Sequence, residues 1–192
     1  MKPDELLKVL DVAQKLKTNT RHCWFKDGRR ESVAEHCWRV ALMAMLMEKD
    51  FPQADMNKVI KMCLIHDMGE CFTGDIPTFE KTEKNCQTEK DLLIEWVKTF
   101  PQDEREQWLN LYDEMEKLES LEAKIYKALD KMEAVISHNE SDIKTWLPLE
   151  YDLQLTYGQE NVQFSDYMKK LKSIVNEKTR IIIEESKKGE EI

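Results

Sequence analysis

The sequence predicts an all-α protein that folds as one domain over residues 1–192. Three observations support this fold class. Leu, Lys, Glu and Met, which favour helices, are abundant. Five Gly and five Pro in the whole chain leave few breakers for hairpins. Apolar residues, 41% of the chain, recur with helical spacing along most of its length, and 192 residues suffice to bury a core.

The N-terminal part predicts two helices joined by a polar connection. The first helix begins at Pro3 and Asp4, and the second runs from Glu31 to about Lys49, with Glu31 and Ser32 capping it. The connection, "KTNTRHCWFKDGRR", is basic and contains a turn at Asp27-Gly28. The apolar face predicted for the first helix is Leu6, Leu7, Val9, Leu10, Val12, Ala13 and Leu16, and that of the second is Val33, Val40, Met43, Ala44 and Met47.

The middle of the chain predicts further helices around one loop. A third helix runs from Ala54 or Asp55 to Met68-Gly69, followed by the loop "CFTGDIPTFEKTEKN". Helix resumes over residues 88–99, and Pro101 opens a pattern that continues to about His138 with one break near Ser120. Its second half carries one apolar stripe, formed by Leu121, Ile125, Leu129, Met132 and Ile136.

The C-terminal part is predicted to pack as additional helices on a core that spans about residues 6–138. These helices occupy about residues 145–188, although Pro148 and Gly158 interrupt the pattern before a last helix at Ser165–Glu185. The charged tail "ESKKGEEI" is expected to fray.

Charge and cysteine content narrow the function classes. A formal net charge of −9 disfavours binding to a nucleic-acid polymer. Five cysteines without paired-ligand spacing predict reduced thiols in a cytoplasmic protein. The N-terminus has an acid in its first turn and no apolar stretch, so neither a signal peptide nor a membrane span is expected.

Several polar residues occur where the helical pattern points inward. His36 is in register with the apolar face of the second helix, and His66 and Asp67 follow the apolar run "CLI". Asp130 lies beside the apolar stripe of residues 121–136. Each has an ordinary alternative: a hydrogen-bonded core histidine, a chance His-Asp pair, and a carboxylate that pairs with Lys127 or Lys131.

Taken together, these residues predict a metal site. Two imidazoles and two carboxylates form a mixed nitrogen and oxygen donor set that suits one divalent transition metal, namely Mn, Co, Fe, Ni or Zn. Such an ion would offset the cost of placing several polar groups in a helical core.

The three segments "EH", "HDMGE" and "KALDKMEA" together resemble the H…HD…D signature of the HD superfamily, all-α metal-dependent phosphohydrolases. "HDMGECFTGDIPT" and "RHCWFKDGRRESVAEH" further resemble the bacterial 5′-deoxynucleotidases and their eukaryotic HD-domain relatives. The resemblance extends from about Leu6 to Ile136. It implies that the metal ligands are His36, His66, Asp67 and Asp130.

The resemblance also implies catalytic and substrate-binding residues. Glu70 matches the carboxylate beside the nucleophilic water, and Asp75 matches an acid that reaches the leaving oxygen or the sugar, although a turn residue is an equal alternative. Arg21 matches a phosphate-binding arginine, unless it belongs to a solvated basic loop. Trp24 matches an indole that lines the sugar pocket, but "RHCW" also aligns with His22 in that place.

The predicted reaction is metal-assisted removal of the 5′-phosphate from (deoxy)nucleoside monophosphates, by a chain that forms a homodimer as its relatives do. One alternative is an HD hydrolase of another phosphoester, such as a cyclic nucleotide, an alarmone or a nucleoside triphosphate. Others are a non-catalytic metal or nucleotide sensor, and a helical interaction protein without metal. His138 and the tryptophans at 96, 108 and 146 are expected to be structural.

Overall fold

The structure, a computed structural model, describes residues 1–190 and confirms the all-α prediction. The helices are α1 (Pro3–Ala13), α2 (Val33–Leu46), α3 (Met56–Ile65), α4 (Glu70–Thr73), α5 (Glu83–Val97), α6 (Gln102–Lys117), α7 (Leu121–Glu140), α8 (Glu150–Thr156) and α9 (Asp166–Glu190). The strands are β1 (Thr20–Trp24) and β2 (Arg30–Ser32). Short 3₁₀ turns occupy Gln14–Lys17, Glu48–Asp50 and Ile143–Thr145.

Helices α2, α3 and α7 pack on one another and form the centre of the molecule. Side chains from all three are fully buried there, including Val40, Val59 and Leu129. The N-terminus of α2 is fixed by a capping box, in which Ser32 accepts from the backbone N–H of Glu35 and the Glu35 side chain accepts from that of Ser32. This cap fixes the start of α2 and thereby the position of His36, which lies one turn further along the helix.

The connection after α1 contains a β-hairpin that the sequence did not predict. Strands β1 and β2 pair in antiparallel fashion on either side of the predicted turn at Asp27-Gly28. Glu31, predicted to cap α2, instead lies in β2, where it is buried against Arg21 and Ser137. The hairpin therefore depends on contacts with α7 rather than on local turn chemistry alone.

Several helix boundaries differ from the prediction. Helix α3 ends at Ile65, before a turn over residues 66–69, and α5 already begins at Glu83 because Thr82 caps it. The predicted break near Ser120 is confirmed, since Ser120 caps α7. Helix α9 extends to Glu190, so the charged tail is helical that far; residues 191 and 192 lie outside the described part of the chain.

The predicted apolar face of α1 is only partly covered. Val9, Val12 and Ala13 pack against a cluster of buried apolar residues that includes Val97 and Phe100. Leu6, Leu7 and Leu10 are exposed, and no α1 residue is fully buried. That cluster also holds Trp96 and Trp108, whereas Trp146 is buried next to His138. No helix within residues 1–190 is long and apolar enough to span a bilayer.

Candidate active site

The four residues predicted to bind metal converge at the centre of the helical core. His36 comes from α2, Asp130 from α7, and His66 and Asp67 from the turn that follows α3. The two histidine Nε2 atoms lie 3.3 Å apart. Asp67 Oδ2 is 3.1 Å from His66 Nε2 and 3.7 Å from His36 Nε2, whereas Asp130 Oδ1 is 3.4 Å from His36 and 3.6 Å from His66.

Hydrogen bonds orient both imidazoles toward this centre. Nδ1 of His66 donates to the carbonyl oxygen of Cys63 at 2.9 Å, and Nδ1 of His36 donates to the carboxylate of Glu133. In each ring the Nε2 atom is therefore the nitrogen with a lone pair available to a metal. The carboxylate behind His36 matches the arrangement that commonly supports metal-binding histidines.

The two oxygens of Asp130 serve different partners. Oδ1 faces the histidines, and Oδ2 pairs with Lys127 at 2.9 Å and Lys131 at 3.6 Å. Although burial opposes ionisation, these lysines and the histidines hold the pKa of Asp130 well below its usual value. The lysine pairing and the predicted ligand role are thus compatible, because they use different oxygens.

The site is built to stabilise positive charge. Burial disfavours a protonated imidazole, but the carboxylates of Asp67 and Asp130 nevertheless raise the pKa of His66 well above its usual value. A divalent cation would meet the same carboxylates and would replace the protons. The donor set of two imidazole nitrogens and two carboxylate oxygens, in which each carboxylate oxygen lies 3.1–3.7 Å from both histidine nitrogens, fits such an ion.

Glu70 begins α4, three residues after Asp67, and is buried. Its Oε2 atom has no hydrogen-bond partner among the described residues. Burial, together with the charges of Asp67 and Asp75, raises the pKa of Glu70 to about 10. Such a carboxyl group can hold a proton at neutral pH and give it to a neighbouring atom.

Arg21 and Asp75 line a cavity beside these groups. The Arg21 guanidinium lies 3.1 Å from Glu31 and 3.3 Å from Glu133, which fix its position. Asp75 directly follows Gly74, whose φ of +76° and ψ of 168° belong to a region that only glycine adopts readily. Burial raises the pKa of Asp75.

A bulge brings Arg21 and the residue after it to the same cavity. Thr20 pairs with Ser32 and Trp24 with Arg30, so β1 uses four residue steps where β2 uses two. Consecutive side chains of a regular strand face opposite sides, and a bulge re-aims them. His22 consequently lines the cavity together with Arg21.

Trp24 occupies a different place from His22. Its ring meets the His22 ring edge to face, with the centroids 4.7 Å apart. Among the described residues, those that line the cavity of Arg21 and Asp75 include His22 but not Trp24, which lines a separate cavity with Phe25 and Lys26. Of the two residues between which the sequence left the choice open, His22 is the one that lines this cavity.

Two buried carboxylates of the site were not singled out from the sequence. Glu133 lies one turn after Asp130 on α7 and bonds Ser137 and Arg39 besides His36 and Arg21. Its place inside an apolar stripe, next to Met132, was the signal that could have revealed it. Glu150 has no comparable signal in the sequence, because it lies in the interrupted segment before α9.

Glu150 organises one wall of the cavity. Its carboxylate accepts from His138 Nε2 at 3.0 Å, from His22 Nε2 at 3.4 Å and from the backbone N–H of Leu147 at 2.6 Å. The sequence predicts a structural role for His138. This residue packs against Trp146, and it also lines the cavity.

Comparison with known proteins identifies relatives of the chain. The family model described as HD domain matches residues 13–172. A 5′-deoxynucleotidase HDDC2 from Dictyostelium discoideum is 33% identical over 144 residues, which cover 70% of this chain and 76% of that protein. The HDDC2 5′-deoxynucleotidase of Homo sapiens is also 33% identical, over 139 residues that cover 70% of this chain and 67% of the relative.

Solved structures share the fold. A predicted metal-dependent phosphohydrolase from Magnetospirillum magnetotacticum superposes with a TM-score of 0.77 at 24% identity, covering 93% of each chain. A conserved hypothetical protein from Pyrococcus furiosus gives a TM-score of 0.69 at 24% identity, covering 91% of this chain and 99% of the other.

Proposed function

Because the chain belongs to the HD domain family, we propose that it is a metal-dependent hydrolase that removes the 5′-phosphate of nucleoside monophosphates, including 2′-deoxynucleotides. One observation carries the proposal: a carboxylate oxygen of Asp67 and one of Asp130 each lie 3.1–3.7 Å from both histidine Nε2 atoms, next to a cavity lined by Arg21 and Asp75. The relatives named as 5′-deoxynucleotidases support the same substrate class.

The residues proposed to hold the metal are His36, His66, Asp67 and Asp130, and Mn, Co, Fe, Ni and Zn all suit this mixed donor set. A bound divalent ion supplies Lewis acidity, which lowers the pKa of a water and polarises a phosphoryl oxygen. The Nδ1 hydrogen bonds of both histidines hold the rings in place for that ion.

The remaining residues handle the phosphate and the protons. Arg21 presents a guanidinium to the phosphate while Glu31 and Glu133 hold it in position. Glu70, whose buried oxygen has no partner among the described residues, holds a proton at neutral pH and serves as a general acid of the reaction. Asp75 and His22 line the cavity next to Arg21, where the sugar and its leaving 5′-oxygen would lie.

Phosphate release from a panel of 2′-deoxy- and ribonucleoside 5′-monophosphates tests the proposal. Protein stripped with a chelator is supplied with Mn²⁺ or Co²⁺, and Asp67→Ala, checked for retained helicity, runs in parallel. We expect metal-dependent release that the variant loses. Metal binding without release from any monophosphate would contradict the proposal. Chromatographic analysis of the products formed from cyclic nucleotides, alarmones and nucleoside triphosphates would then identify another phosphoester, because hydrolysis of these compounds need not release inorganic phosphate.

We also infer that the chain forms a homodimer in the cytoplasm and does not bind a nucleic-acid polymer. Exposed apolar side chains on α1 and α2 support self-association, namely Leu6, Leu7, Leu10, Trp38, Met45 and Leu46. Free cysteines support a reducing compartment. Sedimentation of the wild type and of Trp38→Glu measures the mass of the particle, and a wild type that stays monomeric at micromolar concentration would contradict the dimer.

A further inference from the structure

The cavity beside Arg21 has a mixed apolar and polar wall. Apolar side chains contribute much of it, namely Ile76, Pro77, Phe79 and Leu153. A wall of this kind, with a few converging polar groups, is typical of sites for small organic ligands. Arg21 and Asp75 belong to the same cavity, so a ligand whose phosphate meets Arg21 extends its remaining atoms along this wall.

Most polar groups of the wall already have protein partners. Glu150 is bonded by both histidines and by the backbone of Leu147. The Tyr157 hydroxyl accepts from Lys131 at 2.7 Å and shares a hydrogen bond with Thr78 at 2.9 Å. These groups shape the cavity, but their bonding capacity is largely used within the protein.

Gln154 on α8 differs from these residues. It is 4% exposed and lines the cavity, yet its side-chain amide makes no hydrogen bond to any residue within 1–190. Its backbone carbonyl does have a partner, the Lys172 amine at 3.4 Å. The amide atoms are not shut off from the cavity and bond no protein group among the described residues, so a ligand in the cavity can complete their hydrogen bonds.

The chemistry of an amide indicates which part of the ligand it meets. A primary amide carries a donor and an acceptor side by side, and the edges of nucleobases present matching pairs of acceptors and donors. The phosphate offers acceptors only, and it is already assigned to Arg21. Apolar side chains that line the same cavity as Gln154, including the ring of Phe79 and the aliphatic Leu153, suit the faces of a base.

We propose that Gln154 recognises the edge of the nucleobase and is a specificity-determining residue of this cavity. The inference rests on the proposed function, because it takes the ligand to be a nucleoside monophosphate. Rotation of the amide by half a turn exchanges its donor and acceptor, so Gln154 serves purine and pyrimidine bases alike. The residue therefore selects nucleotides over sugar phosphates rather than one base over another.

Gln154→Met removes the amide with little change of side-chain length. The kcat/KM of this variant is measured for 2′-deoxynucleoside 5′-monophosphates and for methyl 2-deoxyribofuranoside 5-phosphate, which has the sugar phosphate but no base. We expect about a tenfold loss for the nucleotides, as for one lost net hydrogen bond to the ligand, and no loss for the sugar phosphate. Gln163→Met, at an exposed position outside the cavity, is the matched control.

Equal losses for both substrates, or none for the nucleotides, would overturn the inference. Titration calorimetry with 2′-deoxynucleosides gives an independent measurement, in which the wild type binds about tenfold more tightly than Gln154→Met. If the wild-type chain hydrolyses none of these phosphates, the proposed function fails, and the calorimetry still decides the role of Gln154. Equal nucleoside affinity in the two proteins would then refute that role.

Discussion

The carboxylate of Glu133 accepts the Nδ1 proton of His36, so it determines which nitrogen of that ring faces the other residues proposed to bind metal. The same carboxylate lies 3.3 Å from Arg21 and 2.9 Å from Arg39. Burial disfavours a charge there, but His36, Arg21 and Arg39 together lower the pKa of Glu133 to about 2. One buried anion thus connects the proposed metal donors to the proposed phosphate-binding residue.

Glu133→Gln should weaken metal binding. The amide keeps the size of the side chain but removes the charge that fixes His36, and loss of such a supporting carboxylate typically lowers metal affinity by about 10–100-fold. Titration calorimetry with Mn²⁺ or Co²⁺ on stripped protein measures the change directly.

Glu140→Gln is the matched control for that substitution. Glu140 lies two turns further along α7 and also pairs with Arg39, but its side chain is exposed and far less confined. We expect wild-type metal affinity in this variant. An unchanged affinity in Glu133→Gln would show that His36 keeps its orientation without the carboxylate.

Glu70→Gln should lower kcat while leaving metal content unchanged. The amide is close in shape to the protonated carboxyl that the raised pKa favours, but it cannot exchange a proton with water. General acid–base residues contribute about 10²–10⁴-fold to a rate, so a loss in that range is expected. Metal-to-protein ratios and kcat are measured together for this variant and for a control at an exposed position, Glu83→Gln. If Glu70→Gln loses metal as well as activity, Glu70 is a metal ligand instead.

Lys172 should make stability depend on pH. It is 1% exposed and bonds only the Gln154 carbonyl among the described residues, and burial lowers its pKa from 10.5 to about 8. Between these two values the unfolded chain binds a proton that the folded chain does not. The free energy of unfolding contributed by this residue therefore rises with pH from about 8 to 10.5, and the penalty is complete below pH 8.

Lys172→Met removes that penalty. We expect about 3 kcal/mol of added stability at pH 7 at most, from the drop in pKa at 1.36 kcal/mol per unit, and a gain that shrinks toward pH 10.5. Urea unfolding of wild type and variant at several pH values gives the difference between their free energies of unfolding. The contributions of all other titrating groups cancel in that difference. The exposed Lys170→Met should show no such trend, and a pH-independent gain at Lys172 would attribute the effect to packing alone.

The sequence predicted those parts of the fold whose pattern is local. The stripe on α7 is confirmed, with Ile125, Leu129 and Met132 fully buried, because a helical period of apolar residues identifies a core face. The hairpin was missed because its strands are short and are held by distant partners, Glu31 by Ser137 and Arg21 by Glu133. Tertiary contacts of this kind leave no periodic signal.

The same distinction applies to the site. The spacing of the motif located the residues that now converge, since His66 and Asp67 are adjacent and belong to one turn. Which of His22 and Trp24 lines the cavity could not be predicted from the sequence, because it depends on the number of residues in a β-bulge. Gln154 could likewise not be predicted, since only the folded structure shows that it lines the cavity.

Gly74→Ala should impair catalysis without removing the metal donors. The backbone of Gly74, at φ +76° and ψ 168°, is in a region that costs an L-residue about 1–3 kcal/mol, although no atom lies within 4 Å of the position that a Cβ would take. An alanine will relieve this strain by rotating the backbone, which displaces Asp75 from the cavity. The donors before it, His66 and Asp67, precede the hydrogen-bonded turn of α4 and stay in place.

The expected result for Gly74→Ala is therefore a reduced kcat/KM for nucleotides together with wild-type affinity for Mn²⁺. Gly28→Ala is the matched control, because Gly28 also has a positive φ, at +85°, but lies in the turn of the hairpin away from Asp75. Both variants should lose similar stability in urea, since both place alanine at a positive φ. Only the first should lose activity; equal activity in the two would mean that the position of Asp75 does not depend on Gly74.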